Sequence, residues 1–336
     1  MRIAVLMGGV SSEREVSLAS GKEVARALRE VGHEVAEIDV KDELDTSHLS
    51  SSSGNNKALI DFVSNPDVVS SEVVFIALHG GAGEDGTVQA LLDIMCKPYT
   101  GSGMLASALS MDKVLSKRIF EQAGIPTPDW RNVEDANSNS IEAAVSSLGG
   151  LPVVTKPRNQ GSTIGISIVK EEAQVVPAVE SALKYSSDIL VEKYIVGREL
   201  TVGILGDGAL PVIEVAPEKG FYNYECKYTR GKSKYIVPAK IAASKSQEAQ
   251  ELALKAYRVL GCEDFARVDF RLSHEGQLQC LEVNTIPGMT GTSLVPMAAR
   301  ASGRAFPQLV DKICRLALSR RGIAIPAGAI QEEPHG

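Results

Sequence analysis

Residues 265–284 read F-A-R-V-D-F-R-L-S-H-E-G-Q-L-Q-C-L-E-V-N. Phe265–Leu272 and Gln277–Asn284 both alternate apolar and polar side chains, the period of a strand. The polar link S-H-E-G predicts a β-hairpin. Such a loop pairs Leu272 with Gln277, Asp269 with Cys280 and Arg267 with Glu282. Residues directly opposite share a face. Arg267, Asp269, Glu282 and Asn284 then project together, while Val268, Phe270, Leu281 and Val283 form a core face. Asp269 and Glu282 become diagonal neighbours of like charge, which is unfavourable unless a cation lies between them. Two carboxylates and an amide oxygen are hard ligands that suit Mg²⁺, completed by water and phosphate oxygens. The alternative is that Arg267 alone neutralises the carboxylates on a solvated face.

Upstream, Pro152–Lys156 is a strand pattern stopped by Pro157, and Gly165–Val169 is a second one. Between them lies R-N-Q-G-S-T (158–163), preceded by Lys156. Cations, glycine backbone and hydroxyls can together cradle a phosphate, although no GK[ST] opens a helix as in a Walker A loop. An exposed glycine turn is the competing reading. Further strands are expected at Ile189–Glu192 and Glu199–Leu205, and a helix over Ala173–Leu183.

The first hundred residues alternate strand and helix patterns. Ile3–Leu6 is a strand, Gly8-Gly9-Val10 a turn, and Ser12–Glu15 a capping-box signature. Val16, Ser20, Val24, Ala27, Leu28 and Val31 recur at helical spacing until Gly32. His33–Asp39 and Glu72–Leu78 follow as strands, separated by a polar loop at Ser47–Asn56. This βαβ order implies a parallel sheet with its ligand edge at the strand C-termini, where Gly8-Gly9 and His79-Gly80-Gly81 would lie. A helical stretch runs through Met111–Gln122.

Length and composition frame these elements. The 336 residues suggest about two domains. With 44% hydrophobic and 23% charged residues the chain is globular, and a net charge of −7 gives no global basic field for nucleic acid or an anionic membrane. The apolar start Ile3–Met7 is too short for a signal peptide. Five cysteines without a CxxC pair favour a reduced, cytoplasmic setting. The tail after Arg320 is rich in Pro, Gly and Glu and is expected to fray.

Three patterns stay ambiguous on local sequence. In residues 217–235, Phe221, Tyr222, Tyr224, Tyr228 and Tyr235 alternate with Lys227, Arg230, Lys232 and Lys234. That mixture fits single-stranded nucleic acid, a lid over a phosphorylated substrate, or a charged surface loop. Gly101–Ala106 matches GxGxxA, but Pro98 leaves almost no strand before it, which argues against a dinucleotide site. Of the histidines only His79 sits beside glycines at a strand end.

Taken in order, these strings resemble the D-alanine–D-alanine ligase family. They are G-G-V-S-S-E-R-E-V-S (8–17), A-L-H-G (77–80), P-Y-T-G-S-G (98–103), S-M-D-K (110–113), T-K-P-R-N-Q-G-S-T-I-G (155–165), V-E-K-Y (191–194) and G-R-E-L-T-V (197–202). F-Y-N-Y-E-C-K-Y (221–228), A-R-V-D-F (266–270), L-E-V-N-T-I-P-G-M-T (281–290) and S-L-V-P-M-A (293–298) complete the set, across roughly residues 3–315. The resemblance implies α/β and α+β architecture: an ATP-grasp fold with an N-terminal parallel-sheet (pre-ATP-grasp) domain. The expected lobes are 1–97, 98–189 and 190–320, with a loose tail at 321–336.

The resemblance also implies roles. Lys113 and Lys156 would hold the α- and β-phosphates of ATP, and Lys227 would reach the γ-phosphate. Glu192 and the Lys193-Tyr194 backbone would read adenine, and Glu199 the ribose. Asp269, Glu282 and Asn284 would hold two Mg²⁺ ions, with Mn²⁺ as a substitute. Glu13 and His79 would bind the first D-alanine. Glu13, Ser162 and Tyr228 would form a hydrogen-bonded triad. Arg267 and the Gly288 N–H would stabilise the oxyanion, and Ser293 and Leu294 would bind the second D-alanine. Thr163, Tyr194, Ile286 and Gly291-Thr292 depart from common family residues, while Tyr228 favours a dipeptide product. The expected activity is ATP-dependent synthesis of D-alanyl-D-alanine for peptidoglycan precursors, by a homodimer, through an acyl phosphate in a dry site. A different second substrate (D-lactate or D-serine), a non-catalytic nucleotide-binding regulator and, more distantly, a dehydrogenase are the rivals.

Overall fold

A computed structural model describes residues 1–41, 61–134, 138–217, 233–320 and 322. The expected loop at Ser47–Asn56, most of the basic-aromatic segment with Lys227 and Tyr228, and the tail from residue 323 lie outside these residues. The first region holds β1 (Arg2–Gly8), α1 (Arg14–Glu30), β2 (Glu34–Val40), α2 (Pro66–Ser70), β3 (Val73–Ile76) and α3 (Thr87–Ile94). Helices α4 (Met104–Met111) and α5 (Lys113–Gln122) lead into β4 (Trp130–Val133), α6 (Ser138–Ser147), β5 (Val153–Pro157), β6 (Ser167–Val169), α7 (Val175–Leu183) and β7 (Ile189–Lys193). Then come β8 (Gly197–Leu205), β9 (Gly208–Ala209), β10 (Ile213–Pro217), β11 (Ser233–Ile236), α8 (Ala243–Val259), β12 (Phe265–Ser273), β13 (Leu278–Asn284), α9 (Leu294–Ala301) and α10 (Phe306–Arg320).

The first sheet is parallel, in the order β2-β1-β3. β1 is apolar at successive positions because both faces are covered. Ile3, Val5 and Met7 pack with α1 and with Leu309, Val310 and Ile313 of α10. Ala4 and Leu6 pack on the other side with Val88, Leu92 and Tyr99. Gly21 lets α1 lie close to β1: a Cβ there would fall 2.5 Å from the Met7 Cβ. The N-terminus of α1 corrects the capping-box expectation. Glu13 is the N-cap and its side chain makes no cap bond. Ser11 turns the chain instead, its hydroxyl accepting from the Glu13 N–H at 3.1 Å, while the Glu13 carboxylate is taken by Ser162.

The central sheet is antiparallel, β4-β7-β5-β6, and buries Val153, Val169, Ile189 and Val191 against Ala178, Val179 and Ala182 of α7. β5 and β6 flank residues 158–166, as the hairpin expectation requires. Pro157 extends β5 by one residue, opposite Ile189. The expected lobe boundary at 189/190 falls inside β7, whose pairing with β4 and β5 carries this sheet to Lys193. The expected single helix through Met111–Gln122 is also corrected. Asp112 separates α4 from α5 and caps α5, its Oδ1 accepting from the N–H groups of Val114 and Leu115 at 3.0 Å.

The large sheet runs β11-β10-β8-β12-β13, with β9 on β8. Leu200, Val202, Val268, Phe270 and Val283 point into a core closed by Ala249, Ala253 and Ala256 of α8 and by Phe120 of α5. The hairpin register differs from the expected one. Arg267 faces Asn284, Asp269 faces Glu282 directly, and Phe270 faces Cys280, with an irregularity between Asp269 and Phe270. One extra residue on β13, Leu281, is a β-bulge. Cys280 is therefore fully buried in the core, and Leu281 turns out of it into a cleft.

The end of α10 ties the regions together. The Arg320 guanidinium donates to the carbonyls of Tyr99 and Gly101 at 2.9 and 2.8 Å, and to Glu263 at 2.7 Å. Asp264, 7% exposed and at φ 59°, accepts the Gly101 N–H at 2.9 Å. Burial raises the Asp264 carboxyl to about 7, against the pull of Arg320 and of that N–H.

Two stability outcomes follow from this packing. Gly21→Ala overpacks α1 on Met7 and should cost about 1–3 kcal/mol in denaturant unfolding; an unchanged midpoint contradicts the close approach. An acid whose folded pKa is raised loses stability as pH rises from the ordinary carboxylate range, about pH 4, through about 7. Asp264→Asn keeps an acceptor and removes that loss, so the variant should gain on the wild type between those limits. A pH-independent difference contradicts it.

Candidate functional site

Two clefts meet over the β12–β13 hairpin, and Arg267 and Glu282 line both. The first lies between the central and large sheets. Its walls include Val154, Ile166, Tyr194, Ile195, Val215, Leu281 and Leu294, and its polar groups include Lys156, Glu192, Glu199, Asp269 and Arg271. The second is polar and includes Glu13, His79, Glu84, Lys113, Gly161, Ser162, Asn284 and Gly288.

Glu192 anchors the first cleft at 2% exposure. Lys156 Nζ lies 2.7 Å from its Oε1 and Lys117 Nζ 2.6 Å from its Oε2. Burial pushes the Glu192 carboxyl up, but the two ammonium groups together outweigh it and hold the carboxyl below its usual range. Burial lowers Lys117, against the pull of Glu192. Lys117 also donates to Thr127 Oγ1 at 2.6 Å, and that hydroxyl donates to the Cys280 carbonyl at 2.8 Å. Lys193 and Tyr194 line the same cleft, but their N–H groups are spent on the carbonyls of Asp129 and Pro152. Arg271 sits 3.4 Å from Glu199 and 5.7 Å from the centre of the Tyr194 ring.

The loop after β5 is pinned at its root. Arg158 Nε donates to both Asp112 oxygens at 3.0 and 2.9 Å, and its Nη1 donates to Asp188 at 2.9 Å. The Arg158 carbonyl accepts the Lys113 N–H at 3.2 Å, and Lys113 Nζ donates to the Gln160 carbonyl at 2.6 Å. Lys113 Nζ lies 3.6 Å from Glu282. Ser162 and Thr163 take φ of 53° and 63°, a region non-glycine residues rarely enter. That turn brings the Ser162 hydroxyl to donate to Glu13 Oε1. Gly80 fits here because a Cβ would stand 3.2 Å from Glu13 Oε2.

On the hairpin floor Arg267 clamps Asp269, with Nε donating to Oδ1 at 2.9 Å and Nη2 to Oδ2 at 2.8 Å. Thr201 donates to Asp269 Oδ1 at 2.6 Å. Asn284 Oδ1 accepts from the Ile286 N–H at 3.0 Å. Among the described residues no three His, Cys, Asp or Glu side chains could hold a metal ion by themselves. Two facing carboxylates and an amide oxygen still make a hard donor set that fits Mg²⁺ with phosphate oxygens completing it. Ser293 and Leu294 separate: Leu294 lines the first cleft, while Ser293 Oγ accepts from the Thr290 N–H at 3.0 Å.

Three residues were not singled out by motif. Lys117 follows Lys113 by one helical turn, a spacing that puts both on one face. Glu84 lies in the glycine-rich run after His79, 3.5 Å from its Nδ1, and burial raises its carboxyl. Arg271 continues the alternation of Arg267 and Asp269.

Comparison with known proteins agrees with this architecture. The family described as D-ala D-ala ligase N-terminus matches residues 2–102, and the one described as D-ala D-ala ligase C-terminus matches residues 119–315. The D-alanine–D-alanine ligase of Moorella thermoacetica is 47% identical over 325 residues, 95% of this chain and 99% of its own. That of Aquifex aeolicus is 46% identical over 314 residues, 93% of this chain and 99% of its own. The structure of the Bacillus anthracis D-alanine–D-alanine ligase complexed with ATP superposes with a TM-score of 0.78 at 33% identity, covering 96% of this chain and 99% of that one. A D-Ala:D-Ser ligase from Enterococcus faecalis gives 0.77 at 30% identity, covering 94% and 98%. With both family regions matched in order and full-length relatives this similar, the chain belongs to the D-alanine–D-alanine ligase family, on an ATP-grasp fold.

Proposed function

We infer that the chain uses ATP to join two D-alanines into D-alanyl-D-alanine, for peptidoglycan precursor synthesis. The observation that carries this is the pair of clefts sharing Arg267 and Glu282. One has apolar walls with a carboxylate and cations, as a nucleotide needs. The other gathers Glu13, His79 and Gly288. Phosphoryl transfer between two clefts requires such a shared floor.

In this reading adenine lies between Val154 and Leu281, its amino group facing Glu192 and the Lys193-Tyr194 carbonyls. Glu199 takes the ribose hydroxyls, and Lys113 and Lys156 the α- and β-phosphates. Asp269, Glu282 and Asn284 would hold two Mg²⁺ ions, or Mn²⁺, which supply charge neutralisation to the triphosphate when bound. Glu13 and His79 hold the ammonium end of the first D-alanine, so that a carboxylate oxygen meets the γ-phosphorus. The γ-phosphoryl group moves to that oxygen and ADP leaves. The second D-alanine, held by its carboxylate at Ser293 and Leu294, attacks the acyl carbon through its unprotonated amine. The C–O bond to phosphate breaks, and the proton lost by the attacking nitrogen leaves with the departing phosphate. Arg267 and the Gly288 N–H stabilise the oxyanion; fixed donors of this kind need no reorganisation during the step. Lys227 would reach the γ-phosphate, and Glu13, Ser162 and Tyr228 would form the triad that closes the site and keeps water out.

The homodimer, the cytoplasmic setting and the three-lobe division, with the second boundary after Lys193, belong to the same reading. Among the described residues no helix is long and apolar enough to cross a membrane. Sedimentation of the purified chain reads out the dimer.

Phosphate release should require ATP, Mg²⁺ and D-alanine together, with D-alanyl-D-alanine identified by mass spectrometry. Release without D-alanine dependence, or a D-serine or D-lactate product preferred in competition, overturns the assignment. Lys227→Ala and Arg267→Ala should each lower kcat/KM by roughly 10²–10³-fold. Near-normal rates in the purified variants would remove those residues from the reaction.

A further inference from the structure

Beyond Glu13, helix α1 also contacts the segment that follows Gly288 of the second cleft. Ser20 lies about two helical turns beyond Glu13, and Glu23 about one turn further, on the same side of the helix. Ser20 is fully buried. Its Oγ lies 3.2 Å from His79 Nε2 and accepts the Met289 N–H at 3.3 Å. Glu23 accepts the Gly291 N–H at 2.6 Å. These two amides alternate along the segment between Gly288 and Ser293. Within that segment the Thr290 N–H donates to Ser293 Oγ at 3.0 Å and the Ser293 N–H to the Thr290 carbonyl at 2.9 Å. A shift of Gly291 is therefore passed to Ser293 through a closed turn.

We propose that Ser20 and Glu23 are positioning residues for the second amino-acid subsite. By holding the N–H groups of Met289 and Gly291 they fix how far Gly288 and Ser293 stand from Glu13, which starts the same helix. This rests on the reading that Glu13 serves the first amino acid and Ser293 the second. One rigid helix then sets the spacing between the carboxylate that is activated and the amine that attacks it. An error of an ångström in that spacing is expensive in rate. Neither side chain touches substrate. Glu23 is suited to the task because a hydrogen bond to a charged acceptor is stronger than a neutral one. Ser20 adds a cross-link, since the hydroxyl that holds Met289 also contacts His79 in the first subsite.

The test is steady-state kinetics resolved for the two D-alanine sites, with the KM for ATP and the thermal midpoint measured alongside. Glu23→Ala should raise the KM of the second D-alanine roughly tenfold, with the ATP and first-site KM within about twofold of wild type. Glu23→Gln still presents an oxygen to Gly291 and should restore most of the loss. Ser20→Ala should raise the second-site KM as well, and hydrogen exchange over residues 286–293 should speed up in both alanine variants. An unmoved second-site KM in Glu23→Ala, an equal rise in every KM, or no rescue by Glu23→Gln overturns the proposal. Should Glu23→Ala fail to fold, Glu23→Asp, one methylene short, must show the same split in smaller degree. Wild type that makes no dipeptide overturns the functional reading and this proposal with it, whereas active wild type beside an unaffected Glu23→Ala overturns the positioning role alone.

Discussion

Glu192, closed off from water between two lysines, sets the terms for the rest of the site. A buried carboxylate without partners costs several kcal/mol, and an unpaired buried ammonium costs as much. The fold answers by pairing groups that a nucleotide would otherwise have to neutralise alone. Lys156 and Lys117 rest on Glu192, Arg267 on Asp269, and Lys113 beside Glu282 and the Gln160 carbonyl. The cations are thereby held in place before any phosphate arrives. Truncating one member of such a pair leaves the other charge buried, so Lys117, which lies behind the cleft wall, matters to the first cleft through Glu192.

The hairpin shows what alternation can and cannot convey. Period-two patterning brought Arg267, Asp269, Glu282 and Asn284 to one face, and they share it. The register missed by one residue because the β13 pattern contains two successive apolar residues, Cys280 and Leu281. Such a break in alternation is the trace of a bulge. Its consequence is chemical: Asp269 and Glu282 stand directly opposite instead of diagonally, and Leu281 becomes cleft wall. Lys117 was illegible for a different reason. A lysine on a charged helix face reads as solvated, and its burial comes from packing against Thr127 and β13, which no local pattern encodes. The loop at 158–163 lies between: its composition suggested an anion cradle, but the positive φ at Ser162 and Thr163, which brings the Ser162 hydroxyl to Glu13, left no local signal.

That contact joins residues 149 positions apart in the chain, and the remaining walls come from equally distant segments. No single motif could identify the site, because each contributes one wall. The ordered set could, since strand order decides which loops meet. The parallel sheet brings Gly8-Gly9 and His79-Gly80 to its carboxyl edge, where open α/β sheets collect ligands. β5 and β6 deliver residues 158–166 to the same place from another sheet.

The net charge of −7 then has a local meaning. An acidic surface repels free polyanions over a Debye length of about 10 Å, so no long-range field gathers nucleotide into the cleft. In the proposed reading recognition falls to Lys113, Lys156 and Arg267 at hydrogen-bond range, each already balanced by a carboxylate or carbonyl. A ligand that offers more negative charge than those partners can displace them; a neutral one cannot. On that reading the same charge balance favours a triphosphate.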